Sequence, residues 1–340
     1  MKQLLEMTVT ERASDLHLSV GHSPVLRIAG RLVPLVKQEE LTATAIQELI
    51  FSLLSEEQKA MLLEEKEIDF SYSMGENARF RVNAFHEQGN LSAAFRLIPQ
   101  DIKTLEELNL PPILETFAQK KQGFFLVVGP VGHGKTTTLA SMIELINTSR
   151  PEHIVTIEDP IEYVYEQKKS MIDQREVKID TKDFRTALRS VFRQDVDVAM
   201  IGEMRDHETI STAITAAETG HLIFSSLHTN NAAQTIHRMI DAFPPSGQDQ
   251  IRSQLSASLL GIFSQRLVPR VSGGLVPAYE LLLANTAVRN LIREKRTHEI
   301  DIVIETSSGE VMVSLNQSLV DLVENREITM ETALNYSLSP

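Results

Sequence analysis

Gly123 to Thr136 reads GFFLVVGPVGHGKT, an apolar strand that runs straight into a glycine-rich turn ending in Lys-Thr. The turn is Gly129, Pro130, Val131, Gly132, His133, Gly134, Lys135 and Thr136, and it fits the phosphate-loop pattern GxxxxGK followed by Ser or Thr. Helical spacing follows at Leu139, Met142, Ile143 and Ile146, so the strand–turn–helix context is the one this chemistry needs. The three glycines let backbone N–H groups turn inward as a nest for phosphate oxygens. The next helix presents its positive end to the same anion. In such a loop Lys135 reaches the β- and γ-phosphates and the Thr136 hydroxyl sits on Mg²⁺, with Thr137 beside it. A turn that bound nothing would have no use for Lys-Thr, so the stretch reads as a nucleotide site. Lys135 is expected to face solvent, so that its removal ends hydrolysis without disturbing a core.

The chain around this loop has 340 residues, enough for two domains. With 42% hydrophobic and 23% charged residues, it has the composition of a globular protein. There is no cysteine, which excludes a disulfide framework and a Cys-based zinc site. No apolar run approaches the ~18–20 residues needed to cross a bilayer, and the N-terminal MKQLLEMTVTERASD has no signal-peptide core. A cytoplasmic protein with no direct membrane insertion is expected. The net charge of −13 and the sequence pI near 5.3 argue against nucleic acid as a partner, since that footprint normally shows a basic patch.

Taken in order, residues 2–12 read as a short helix, followed by strands at Leu16–Val20, Val25–Ala29 and Leu32–Val36. Helical spacing appears at Ile46, Leu49, Ile50, Leu53 and Leu54, and Ser55-Glu56-Glu57-Gln58 is a capping box opening a second helix. Strand alternation returns at Ile68–Tyr72, Phe80–Ala84 and Leu91–Ile98. Residues 1–98 are thus expected to form one α+β domain, 99–112 a linker between Pro99 and Pro111-Pro112, and 113–340 a second domain. In the second domain, strand runs at Phe124–Val128, Ile154–Ile157, Val198–Ile201 and Leu222–Leu227 alternate with helices, the signature of a parallel α/β core. Ile236–Ile240 and Ile251–Phe263 keep helical spacing. The last part, from about 286 to 340, is mostly helical.

Four further stretches carry candidate chemistry. Ile157-Glu158-Asp159-Pro160-Ile161-Glu162 is acidic and follows a buried strand, at the end where ligands of open α/β sheets bind; a solvated strand end is the plainer reading. Val198-Ala199-Met200-Ile201-Gly202-Glu203 resembles a Walker B strand, with Gly202 where Asp is usual, which leaves Glu203 to handle metal or water. His221 and His228 flank another apolar strand, and their spacing matches no zinc pattern. Arg79, Arg81 and Arg96 alternate on strands, as a solvated face or as phosphate ligands.

These pieces together resemble the type IV pilus retraction ATPases of the type II/IV secretion superfamily. The resemblance is carried by Phe80-Arg81-Val82-Asn83, GPVGHGKTTT, IEDPIEYVY, SMIDQREV, IGEMRD and TGHLIFSSLHTN, with AVRNLIRE at Ala287–Glu294 followed by Thr297-His298. It covers nearly the whole chain. It implies a PAS-like N-terminal domain joined to a RecA-like P-loop ATPase domain with a helical C-terminal extension, assembled as a homohexamer. It also implies catalytic Glu162 closing an acidic box, an atypical Walker B with Glu203, a His box with His221 and His228, and Arg79, Arg81 and Arg96 near nucleotide. Thr136 would hold Mg²⁺, with Glu162 or Glu203 acting through water. The substrate implied is ATP; the partners are the pilus machinery and its platform protein at the cytoplasmic face of the inner membrane. Two departures stand out. His133 and Thr136 occupy positions where the family commonly has Ser, so His133 adds bulk at the loop tip. Gln194-Asp195-Val196-Asp197 lacks the usual Pro.

The expected activity is hydrolysis of ATP to ADP and phosphate, coupled to pilus retraction and twitching motility. An assembly motor of pilus or secretion type, or an accessory retraction motor, is the near alternative; a nucleic-acid translocase would share the core but not the acidic pI. In AVRNLIRE, Val288, Leu291 and Ile292 fall at helical spacing as a buried stripe. Arg289, Asn290, Arg293 and Glu294 then form a solvated face, and replacing both arginines is expected to cost little stability.

Overall fold

The computed structural model describes residues 1–28, 30–75, 78–98, 101–204, 206–307 and 311–337. Ala29 of an expected strand, Pro99 and Gln100 of the expected linker, and Arg205 of IGEMRD lie outside the described residues. The chain divides into two units, Met1–Asp101 with Pro160–Val164, and Ile102–Asp159 with Tyr165–Pro340.

In the first unit, β1 (Asp15–Leu18), β2 (Val25–Ile28), β3 (Arg31–Pro34), β4 (Glu67–Met74), β5 (Ala78–Glu87) and β6 (Asn90–Ile98) form an antiparallel sheet in the order β3-β2-β1-β6-β5-β4. Alternation decides its faces: Ala78, Phe80, Val82 and Ala84 of β5 are buried, whereas Arg79 and Arg81 lie between them on the other face. Helices α1 (Lys2–Thr10), α2 (Ala43–Phe51) and α3 (Glu56–Glu65) contribute Leu5, Ile46, Ile50 and Leu62 to the same core. Ser55 caps α3 as its sequence predicts. Its hydroxyl accepts from the Gln58 N–H, and the Gln58 side chain accepts from the Ser55 N–H.

In the second unit, β7 (Gly123–Val128), β8 (His153–Glu158), β9 (Met171–Glu176), β10 (Val198–Ile201), β11 (Leu222–Leu227), β12 (Leu259–Pro269) and β13 (Leu275–Leu283) form a mixed sheet in the order β13-β12-β7-β11-β10-β8-β9. All neighbours are parallel except β12 and β13. Helices cover both faces of the parallel part, so β7 and β11 are buried along their whole length and read as unbroken apolar runs. One face of β7 packs Phe124, Leu126 and Val128 against Ile157, Ile201 and Ile223. On the other, Phe125 tilts onto Phe117, with ring centroids 4.3 Å apart.

The helices of this unit are α4 (Ile113–Ala118), α5 (Lys135–Ser149), α6 (Phe184–Val191), α7 (His207–Glu218), α8 (Ala232–Asp241), α9 (Pro245–Ser258), α10 (Thr286–Arg293), α11 (Ile300–Thr306), α12 (Leu315–Glu324) and α13 (Met330–Tyr336). The expected helix Ile251–Phe263 is corrected. Helix α9 stops at Ser258 and the chain continues as β12. The apolar residues Ile251, Leu255, Leu259 and Ile262 keep a helical interval across that junction. Pairing with β7, in the register Ile262 to Leu126 and Ser264 to Val128, overrides it. The far end of the β12–β13 hairpin carries a small core of its own: Val268, Val276 and Ala278 pack against Leu315, Leu319, Ile328 and Ala333.

Candidate functional site

Because β7, β8, β10 and β11 run parallel, their carboxyl ends share one edge of the sheet. The glycine-rich loop leaves that edge after β7, Glu158 ends β8, Glu203 follows β10 and His228 follows β11. Gly129, Gly132 and Gly134 all have positive φ, at 144°, 77° and 79°, and α5 starts directly from the left-handed Gly134. A Cβ on Gly129 would stand 2.2 Å from the Gln265 carbonyl oxygen. That position admits glycine alone.

Lys135 is only 7% exposed, not solvent-facing as the sequence suggests. Its Nζ donates to the carbonyls of Gly129 and Pro130, each at 2.9 Å, and lies 3.2 Å from His228 Nδ1. An ammonium has only donors, so Nδ1 accepts and the proton of the neutral ring is carried on Nε2. That nitrogen stands 4.0 Å from Glu203 Oε2. Lysine at the start of α5, histidine after β11 and glutamate after β10 thus stand in a row, the first pair hydrogen-bonded and the second close but beyond hydrogen-bond length.

Two residues hold the loop in ways the sequence does not announce. Gln265 on β12 is 3% exposed; its Nε2 donates to the His133 carbonyl at 2.9 Å and its Oε1 accepts from the Thr138 hydroxyl of α5 at 2.6 Å. His133 is not loose bulk at a loop tip. Its Nδ1 accepts from the Leu267 N–H of β12 at 2.9 Å. Burial, helped by the cations Arg266 and Lys135, lowers its pKa and keeps the ring neutral. Gly202 also has a local reason. Its N–H donates to the Ile157 carbonyl at 2.8 Å, and a Cβ there would come within 3.3 Å of that same oxygen.

Glu158, within the acidic stretch, is 4% exposed and accepts from the Thr156 hydroxyl at 2.7 Å. Asp159, Asp183, Arg185, Glu203, Asp206 and Glu208 line a cavity of about 360 Å³ beside it. Two of these acids are occupied as helix caps, Asp183 on α6 and Asp206 on α7. Among the described residues no cluster of His, Asp or Glu is arranged to hold a metal ion by itself.

His221 precedes β11 at the opposite end from the loop; its Nδ1 meets the Ala216 carbonyl at 3.1 Å and its ring stands edge-on to Phe192. Arg79, Arg81 and Arg96 belong to the N-terminal unit, as does Glu162. Arg81 and Arg96 are cross-strand partners, and Arg96 Nε donates to the buried Asp15 carboxylate at 2.9 Å. Burial is the largest single influence on the Asp15 carboxyl and raises its pKa, but the Ser14 hydroxyl and then the Arg96 guanidinium together hold it below its usual range.

The AVRNLIRE expectation needs correction. Val288, Leu291 and Ile292 are the buried stripe as predicted, but Arg289 is not a solvated charge. Its guanidinium donates to the carbonyls of Ala284, Ser256, Ala257 and Leu259, at 2.5–2.8 Å, and so closes the carboxyl end of α9.

A buried ammonium inside a nest of positive-φ glycines, at a helix start, is equipped to bind phosphate oxygens. The adjacent carboxylates and imidazole are equipped to orient and accept a proton from water. Comparison with known proteins agrees. Residues 1–275 match the family model described as type II/IV secretion system protein. The type IV pilus retraction ATPase PilT of Pseudomonas aeruginosa is 43% identical over 338 residues, covering 99% of this chain and 98% of that protein. A twitching motility protein of Neisseria gonorrhoeae is 44% identical over 312 residues, covering 92% and 83%. A crystal structure of the pilus retraction motor PilT with bound ADP superposes with a TM-score of 0.94 at 44% identity, covering 100% of this chain and 97% of that one.

Proposed function

The chain belongs to the type II/IV secretion system protein family, and from that premise we propose that it is a motor ATPase that drives type IV pilus retraction. The observation that carries the reading is the Lys135–His228–Glu203 row, set at the ends of three parallel strands around the phosphate loop. The second unit is RecA-like, a P-loop ATPase fold with C-terminal helices. We assign residues 1–98 to a PAS-like domain, 99–112 to a linker and 113–340 to the ATPase domain.

In the mechanism, the stretch Gly129 to Thr137 binds the triphosphate, with the backbone N–H groups from Val131 onward as donors, and Lys135 neutralises charge on the transferred phosphoryl group. Glu203 orients the attacking water, with Glu162 as the second carboxylate. His228 sits between Lys135 and Glu203, 3.2 Å from the first and 4.0 Å from the second. Thr136 supplies the hydroxyl oxygen for Mg²⁺. A hydroxyl oxygen of this kind is a donor that ion would accept. When bound, Mg²⁺ neutralises phosphate charge. Arg79, Arg81 and Arg96 supply further cations to nucleotide.

The motor works as a homohexamer in the cytoplasm. It is recruited to the inner membrane by the pilus platform protein, with no insertion of its own; among the described residues no helix is long and apolar enough to cross a membrane. Imaging pili in a deletion strain tests the cellular role. Hyperpiliated cells that do not twitch are expected; loss of pili would instead identify an assembly motor. Phosphate release by the purified chain tests the chemistry.

A further inference from the structure

Strand β12 runs past the end of its partner. Its parallel pairing with β7 stops at Ser264 opposite Val128, where β7 turns into the phosphate loop, yet β12 continues to Pro269. On its other side β12 stays paired with β13, Leu267 lying opposite Pro277. The Leu267 N–H is thus a strand donor on the side that β7 has vacated. Even a half-buried donor is better met by an acceptor than left facing none. His133 meets it: Nδ1 takes the place that the next carbonyl of β7 would have held. The His133 carbonyl accepts from Gln265 two residues earlier on the same strand. One loop residue is fastened to β12 by both its side chain and its backbone, immediately before Gly134 and Lys135.

We infer that His133 is a positioning residue, a latch that pins the phosphate loop to β12 through a neutral imidazole and makes nucleotide affinity depend on its protonation. The inference rests on the nucleotide-site reading of the loop. Protonated Nδ1 becomes a donor facing another donor, the Leu267 N–H, so the latch opens. The charged groups bearing on the ring are Arg266 from β12 and Lys135 from α5, both cations. They oppose protonation, as burial does. The docked ring therefore has a lower pKa than a free one, and the sign follows. The latch is fully closed above the ordinary histidine value of about 6.5 and opens as pH falls from there through the lower value of the docked ring. Binding of a phosphate anion at the loop works the other way and brings the ring closer to protonation.

The test uses the full chain, as wild type, His133→Ala and His133→Asn. Asn places an amide oxygen near the position of Nδ1 but does not titrate. Hydrogen exchange at the Leu267 amide, corrected for intrinsic rate, is followed without nucleotide between pH 8 and pH 5. Wild type should lose protection as pH falls; Asn should keep it throughout; Ala should lack it at both ends. Titration with MgADP at pH 8 should then give Ala an affinity about fivefold weaker than wild type, what one net hydrogen bond of about 1 kcal/mol is worth. Protection in Ala equal to wild type, the same pH loss in Asn, or unchanged MgADP affinity in Ala would each overturn the latch. Failure of wild type to bind MgADP at all would sink the nucleotide reading instead, while the exchange result stands independently.

Discussion

Lys135 does two jobs at once, because the ammonium that would meet phosphate also ties together the carbonyls of Gly129 and Pro130. Lys135→Ala should therefore reduce phosphate release to background and also lower stability, by about 1–2 kcal/mol for the buried carbonyls left without a donor. Urea melts beside the phosphate assay check both; wild-type turnover in this variant would remove the loop from the mechanism. A second residue prediction concerns Glu280 on β13. Its carboxylate is 6% exposed and accepts from the Ala232 N–H at the start of α8, at 2.8 Å. Burial is the main cause that pushes its pKa up to about 7. The folded chain thus holds a proton that the unfolded chain gives up near the ordinary carboxyl value. The stabilisation is present below that ordinary value and is lost as pH rises through about 7. Glu280→Gln should gain on wild type by about 2 kcal/mol between pH 5 and pH 8. Denaturant melts at both values measure it, and a difference independent of pH would refute the assignment.

Between elements, Arg289 binds α10 to the end of α9, so the two arginines of AVRNLIRE part company. Arg289→Ala should cost about 2 kcal/mol, since it removes a cation from several backbone carbonyls at once. Arg293→Ala, on the exposed face, should stay within about 0.5 kcal/mol of wild type. Melting the two single variants separates them, and equal stabilities would put Arg289 back on the surface. Only part of this was legible in the sequence. The loop, β7 and β11 announce themselves because burial on both faces demands unbroken apolar runs, and the capping box at Ser55 is a purely local signal. The strand character of β12 was hidden, because Ile251, Leu255, Leu259 and Ile262 keep a helical interval through the junction. The parts played by Gln265, His133 and Arg289 were hidden for a related reason. Each acts on backbone far away in sequence, and no pattern of neighbours encodes that.

At the scale of the whole molecule, the proposed hexamer makes the arginines of the N-terminal unit testable across subunits. Arg81→Ala and Lys135→Ala, each inactive alone, should recover part of the phosphate release when mixed in one ring, if an intact arginine serves a neighbour's intact loop. No recovery in verified mixed rings would leave Arg81 acting within its own subunit or only structurally. The pinning of the loop by β12 carries a consequence for time. His133 and Leu267 are 134 residues apart in the chain. At roughly 5–20 residues per second, about 7–27 s of synthesis separate them on the ribosome. For that interval the nascent chain has made its phosphate loop, and even the helix behind it, but not the strand that anchors them. Full affinity for nucleotide should then arrive late, when β12 leaves the exit tunnel, so ribosome-bound chains stopped before it would carry a finished motif that holds nucleotide more weakly than the complete chain does.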